Sequence, residues 1–334
     1  MQIKKRKIEV PTKDTMLFIC NSIFHLDYKA TMPKSKIVAK MLDAYKTKVD
    51  LRKLIEVLSF DAYKKLETIY NTHKKNGDVI DSFLTNFSDE LYDVMLITFE
   101  EVIYENDEKE FIYNYDRELF DKLDVLFDDL GKELANNEYT FERVIKGLLN
   151  TYGIMKKEYF VTFVNDYLDS NYTFDELLDR IYSKLVLNPF VDRFTINWKN
   201  IGESDEFVSK IPYSEKLGNV AESQKQLSFD YNFHEIDYIL DNYYIDYGKK
   251  YSKEIDDIKR LNNSLDKDVI INFIKEVVEG IKSADEIIRP ILEGVDEENM
   301  DELINYLTNL HNSLELYPLC GYSPYTLDEN KMIS

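Results

Sequence analysis

The sequence predicts a mainly α, multi-helix protein with one or two small β-hairpins, in modules of winged-helix-like layout. Three observations lead there. Only 10 Gly and 7 Pro punctuate 334 residues, so regular segments must be long, whereas an all-β sandwich needs frequent turns. Apolar residues recur at i, i+3, i+4 and i+7 along most of the chain. Two stretches, 97–116 and 194–198, change to runs of β-branched and aromatic residues. Hydrophobic residues at 44% supply sizeable cores and exclude wholesale disorder, and the length suggests two or three domains.

The elements follow in order. Thr12 is a fitting N-cap for a first helix whose apolar face holds Met16, Ile19, Cys20 and Ile23. The stretch HLDYKATMP breaks that period, and Pro33 belongs in the first turn of a second helix, with Ile37, Val38, Met41, Leu42 and Tyr45 as its stripe. Further helices carry Leu51, Leu54, Ile55 and Leu58, then Tyr63, Leu66, Ile69 and Tyr70. Residues 97–116 read as a hairpin around the polar tetrapeptide NDEK, and a helix with Leu119, Phe120, Leu123 and Phe127 comes after it. From about 139 a helix ends at Gly153, a second follows, and Thr173 caps a third that turns Leu177, Ile181 and Leu185 inward. Residues 194–198 alternate as a strand. The polar stretch from Gly202 to Gln226 reads as a linker or surface loop. Residues 228–315 return to helical spacing, and Pro290 is expected to kink or split its helix. Four modules result: a basic helix–extended–helix head at 1–50, a helical module with a hairpin at 51–138, a winged-helix-like module at 139–205 and a helical bundle at 206–334.

Charge is distributed unevenly. The whole chain carries −21, yet residues 1–53 hold thirteen Lys and Arg against five Asp and Glu, a net of +8 that leaves −29 for the remainder. A basic head on an acidic body points to an anionic partner at one end. Lys4, Lys5, Arg6 and Lys7 are expected as a flexible arm, with Lys34, Lys36 and Lys40 as a fixed face and Tyr28 for stacking or backbone contact. The bland alternative is a packing or protein-docking module. The acidic third helix of the 139–205 module, FDELLDRIYSK, would repel phosphates, so its winged shape is expected to serve packing.

Three stretches carry a family resemblance. TKDTMLFICNSIFHLDYKATMPKSKIVAKMLDAYK resembles the small N-terminal module of transcription termination factor Rho, itself related in shape to SAP domains; the likeness lies in the capped helix, the extended link and the Lys-x-Lys opening. LLNTYGIMKKEYFVTFVNDY, continued by TFDELLDRI, and DELINYLTNLHNSLELYPLCGYSPYTL are similar to uncharacterised helical proteins of low-GC Gram-positive bacteria and their mobile elements. Asn312, Tyr317, Gly321, Tyr322, Ser323 and Pro324 carry the closing pattern, with Tyr322 where relatives usually hold histidine. Some relatives append a zinc-binding SEC-C motif; its ligands are not found here, so no metal is carried over. The resemblance implies a Rho-N-like head that contacts nucleic acid, on a helical body, and no reaction.

Chemistry-bearing motifs are few. Two cysteines, Cys20 and Cys320, exclude a disulfide framework and a four-thiolate zinc site. Cys20 is expected as a buried hydrophobe, while Cys320 sits in a loop where exposure would make it reactive. His25, His73, His234 and His311 lack metal-ligand spacing, and Asp121, Asp124 and Asp128 share a helix face without EF-hand spacing. No Walker A, dinucleotide-binding or G-x-S-x-G motif occurs, so a non-enzymatic protein without cofactor is expected. The apolar run TMLFIC is too short for a signal-peptide core or a membrane span, and a cytoplasmic setting is expected. The preferred function is a nucleic-acid-associated or regulatory accessory protein binding DNA or RNA through its head. The alternative is an acidic protein-binding module or inhibitor, its carboxylates imitating a nucleic acid, that docks a basic protein in phage or mobile-element defence or counter-defence.

Overall fold

The computed structural model describes residues 3–76, 89–198, 203–210, 214–227, 230–280 and 282–331. Among them are seventeen α-helices and two three-stranded antiparallel sheets, so the chain is mainly α. Residues 1–141 with 178–188 form one unit, and residues 142–177 with 189–334 form a second.

Unit 1 begins with β1 (Ile3–Glu9) and α1 (Lys13–Phe18), which continues through a π turn at Ile19–Ile23. Thr12 caps α1 through its side-chain oxygen, which accepts from the Thr15 N–H at 3.1 Å. Then come α2 (Lys34–Thr47), α3 (Lys53–Val57), α4 (Phe60–Asn76) and α5 (Asp89–Asp93). Strands β2 (Thr98–Tyr104) and β3 (Lys109–Asn114) precede α6 (Arg117–Phe120), a 3-10 turn at Leu123–Leu126 and α7 (Asp129–Tyr152). Asp128 caps α7, its Oδ1 accepting from the Gly131 N–H at 2.7 Å. Met16, Ile37 and Met41 of the first fifty residues lie in one buried cluster with Leu54, Leu66, Leu91, Phe120 and Leu123. Pro33 is the N-cap of α2, with extended backbone, one position ahead of the first turn where the sequence placed it.

The hairpin expected at 97–116 is β2–β3, and it gains a third strand that the sequence did not suggest. β1 pairs antiparallel with β2 at the sheet edge, with Arg6 opposite Val102, Lys7 opposite Glu101 and Ile8 opposite Glu100. The segment Lys4–Lys7 is therefore a strand and not a flexible arm. The reason is electrostatic as well as steric: β2 carries Glu100 and Glu101 against the densest run of cations in the chain.

Unit 1 also buries a charge. Lys184 is 1% exposed, and its ammonium donates to the Leu58 carbonyl at 2.9 Å, the Glu56 carbonyl at 3.4 Å and Glu138 Oε2 at 3.2 Å. Glu138 in turn accepts from Arg180 at 2.7 Å. A buried ammonium with carboxylate and carbonyl acceptors is stable in place, but removing it strands its acceptors.

Unit 2 contains β4 (Ile154–Lys156), α8 (Lys157–Leu168), β5 (Val191–Trp198), β6 (Glu203–Lys210) and α10 (Ser214–Gln226); α9 (Phe174–Ser183) and α7 contribute residues to both units. It continues with α11 (Ile236–Asp241), α12 (Tyr247–Lys250), α13 (Ser252–Leu261), α14 (Lys267–Glu279), α15 (Ala284–Leu292), α16 (Glu297–Ser313), a 3-10 turn at Tyr317–Leu319 and α17 (Pro324–Lys331). The stretch read as linker is instead structured: β6 is the central strand of the order β4–β6–β5 and buries Phe207 and Val208, while α10 buries Val220 and Ala221. α15 runs through Pro290 without splitting, because it ends two residues later and little helix remains to be disrupted.

Tyr317 anchors unit 2. Its buried hydroxyl donates to the Asn150 carbonyl and accepts from Lys210, both at 2.9 Å, and Gln224 donates to its carbonyl at 2.7 Å. Gly153, at φ +70°, lies so close that a Cβ there would stand 2.1 Å from the Tyr317 ring. Two stability outcomes are expected in urea titrations. Gly153→Ala should cost about 2–5 kcal/mol, the sum of left-handed strain and overpacking. Lys184→Met should cost about 3 kcal/mol, because Glu138 and two carbonyls lose a buried donor; a change within measurement error in either case would contradict the packing described.

Candidate nucleic-acid interface

The local chain path explains how the sequence-predicted residues are placed. After the π turn, His25 and Asp27 take positive φ of 53° and 50°, which reverses the chain. Asn21 then clamps Tyr28, donating to its carbonyl at 2.7 Å and accepting from its N–H at 2.6 Å. The Tyr28 hydroxyl donates to the Lys40 carbonyl at 3.0 Å, and the Lys40 ammonium lies 5.5 Å from the ring centroid. Tyr28 is 9% exposed and belongs to the buried cluster, so it supports Lys40 and offers no open ring face for a base. Burial is the main cause that raises its phenol above the ordinary range.

The cations fall into two groups. Those of β1 face carboxylates: Lys4 pairs with Asp107 at 2.6 Å, Arg6 with Glu100 at 3.5 Å and Lys7 with Glu9. Lys5 contributes with Lys7 and Lys109 to holding Glu101 below the usual carboxylate range, the Lys109 hydrogen bond being the largest cause. Farther on, Lys46 pairs with Asp116 and Glu118, and Arg52 with Asp128. The second group is different. Lys34, Lys36 and Lys40 are exposed on α2, and among the described residues no carboxylate lies within ion-pair distance of them. Lys34 reaches the Val10 carbonyl at 3.1 Å, which holds its ammonium beside the helix start. Lys36 and Lys40 are four residues apart and share a face. No side chain caps α2, and its first turn contains no acid, so its dipole end remains positive. Exposed Lys29, on the extended link next to Tyr28, is absent from the residues the sequence singles out; its place directly after Tyr28, a few residues ahead of Lys34, is the signal that could have found it.

The remaining candidates resolve into structure. Cys20 and Cys320 are both buried, and burial pushes each thiol up to about 12. Cys320, read as a loop residue that exposure would make reactive, is 2% exposed with φ 55° just after the Tyr317 turn. Asp121 accepts from or pairs with His73 Nε2 at 3.1 Å, and Asp128 joins Arg52 while capping α7. Among the described residues no group of His, Cys, Asp and Glu is placed to hold a metal ion, and no helix is long and apolar enough to cross a membrane. In unit 2, burial lowers His234 despite Glu315 at 3.8 Å. An apolar groove of about 530 Å³ opens between α14, α15 and α16, lined by Phe273, Ile287, Ile304, Leu307 and Leu319.

Searches of protein-family models, curated proteins and solved structures return no match for this chain. The buried thiols give a direct check. In native protein at about pH 8, Ellman's reagent should titrate neither cysteine within minutes, and both after guanidinium unfolding, because a thiol near 12 is almost wholly protonated. Rapid release from the native protein would place one of them at the surface.

Proposed function

We propose that this chain is a non-catalytic accessory protein that contacts the phosphate backbone of a nucleic acid through the start of α2. The observation that carries the reading is the contrast within the basic segment. β1 cations pair with carboxylates, whereas Lys34, Lys36 and Lys40 stand exposed along the first two turns of α2, with no carboxylate of the described residues within ion-pair distance and no side-chain cap or acid in the first turn. Such a surface supplies what a phosphate needs: exposed ammonium groups and a helix N-terminus whose first turn carries a positive dipole end without a side-chain cap. Lys29 adds a fourth cation on the approach to the helix.

The surface is small, and the chain's net charge of −21 opposes a long polyanion. Beyond a Debye length, about 8 Å at physiological salt, that repulsion is screened. The reading therefore calls for a short contact of modest affinity, driven by counterion release and indifferent to base sequence. With Tyr28 buried, stacking contributes nothing to it.

Fluorescence anisotropy with a labelled single-stranded oligonucleotide tests this. Lys34→Glu, Lys36→Glu and Lys40→Glu combined should abolish binding, and the three alanine replacements should flatten the slope of log K against log salt by about 2. Reversing Lys4, Arg6 and Lys7 should have the smaller effect. A wild-type protein that leaves the anisotropy unchanged at low salt would remove the proposal, as would binding that survives the α2 reversals.

A further inference from the structure

We infer that the open edge of β1 is a docking site for an extended acidic segment of another protein, which adds to the sheet as a fourth strand. β1 ends the order β1–β2–β3, so among the described residues it has a strand neighbour on one side only. Every residue from Ile3 to Ile8 is exposed. Ile8 is 67% exposed and Ile3 44%, among the largest apolar exposures in unit 1. A neighbouring strand would cover both and satisfy the outward-pointing backbone groups of β1.

The chemistry of the occupant follows from the strand that β1 already binds. From Lys5 on, where the register with β2 is regular, successive side chains point to opposite faces, so Lys5 and Lys7 lie on one face and Arg6 on the other. β2 meets this two-sided cationic strand with two adjacent acids, Glu100 and Glu101, one for each face: Glu100 pairs with Arg6, and Glu101 is held down in pKa partly by Lys5 and Lys7. Lys4, Arg6 and Lys7 stay more than half exposed even where they pair with Asp107, Glu100 and Glu9, so a second acidic strand can share them from the open side. An incoming strand built like β2, with paired acids between β-branched and aromatic residues, is complementary on both faces. A basic strand is repelled, and so is a second copy of β1, because two IKKRKIE edges would set lysine against lysine. The lysines thus prevent self-association and select an acidic partner through the same charge.

The inference concerns a different surface from α2 and stands without the nucleic-acid reading. The probe is a fluorescein-labelled peptide of the β2 sequence, TFEEVIY, with TFKKVIY as its charge-reversed control. The full chain should bind the acidic peptide at least tenfold more tightly than the reversed one. Amide hydrogen exchange at Lys4–Ile8 should slow on binding, with exchange in β2 unchanged. N-methylation of alternate peptide amides should abolish binding, which charge attraction alone would not require. Lys5→Glu with Lys7→Glu should invert the peptide preference; the N-methylated and reversed peptides keep the test decisive if that variant fails to fold. Equal affinity for the two peptides would overturn the inference. So would faster exchange in β2, which signals strand replacement, or a concentration-dependent dimer that protects β1 in sedimentation and exchange. An oligonucleotide that displaces the peptide and protects the same amides would assign the edge to nucleic acid instead.

Discussion

Lys184 sets the terms on which unit 1 exists. A chain with 63 acidic and 42 basic residues repels itself when compact, and setting its cations close to its carboxylates relieves part of that repulsion. Lys184 takes this furthest, carrying an ammonium into the interior where Glu138 and two backbone carbonyls surround it. The 178–188 segment thereby joins a core formed by residues far earlier in the chain, with the Leu185 N–H donating to the Val57 carbonyl at 2.9 Å beside it. The same constraint orders the surface. Lys46 links α2 to Asp116 and Glu118, Arg52 reaches Asp128, and Arg6 reaches Glu100. Cations held by an internal carboxylate serve the fold. What stands out at α2 is that three of them have no such duty.

Tyrosine provides a second recurrent device. Composition alone invites the view that 25 tyrosines reflect coding bias. In unit 1 the Tyr45 hydroxyl donates to the Val94 carbonyl at 2.7 Å and that of Tyr63 to the Leu126 carbonyl at 2.8 Å; in unit 2 Tyr167 donates to His234 and Tyr317 to Asn150. Short helices leave many carbonyls without an intrahelical partner, and a buried phenol fills space while satisfying one of them. A fold of many brief helices and few glycines can therefore use tyrosine where other proteins use a capping turn.

Helices were legible in the sequence wherever an apolar stripe lay close to its own cap, as in α1 after Thr12 and α14 with its run of isoleucine and valine. The β2–β3 hairpin was legible because both strands and their turn are local. β1 was not, since IKKRKIE has the composition of a solvated arm and becomes a strand only opposite Glu100 and Glu101. β6 and α10 were missed for a related reason: ESDEFVSK commits just Phe207, Val208 and Ser209 to the interior, too few to stand out among polar neighbours. At the candidate site the lysines themselves could be read directly. Which of them are matched by carboxylates could not, because Lys4–Asp107 and Arg6–Glu100 join residues that only the folded sheet brings together. Tyr28 illustrates the same limit, since a tyrosine in a polar link looks available until Asn21 turns it inward.

The order of the first sheet has an implication for proteolysis. A protease that clipped the backbone near Val10 and let the first strand dissociate would leave β2 as the new boundary of the sheet. The polarity of that boundary would invert, from lysine and arginine to paired glutamates. One cut would convert a surface that attracts anions into one that attracts cations.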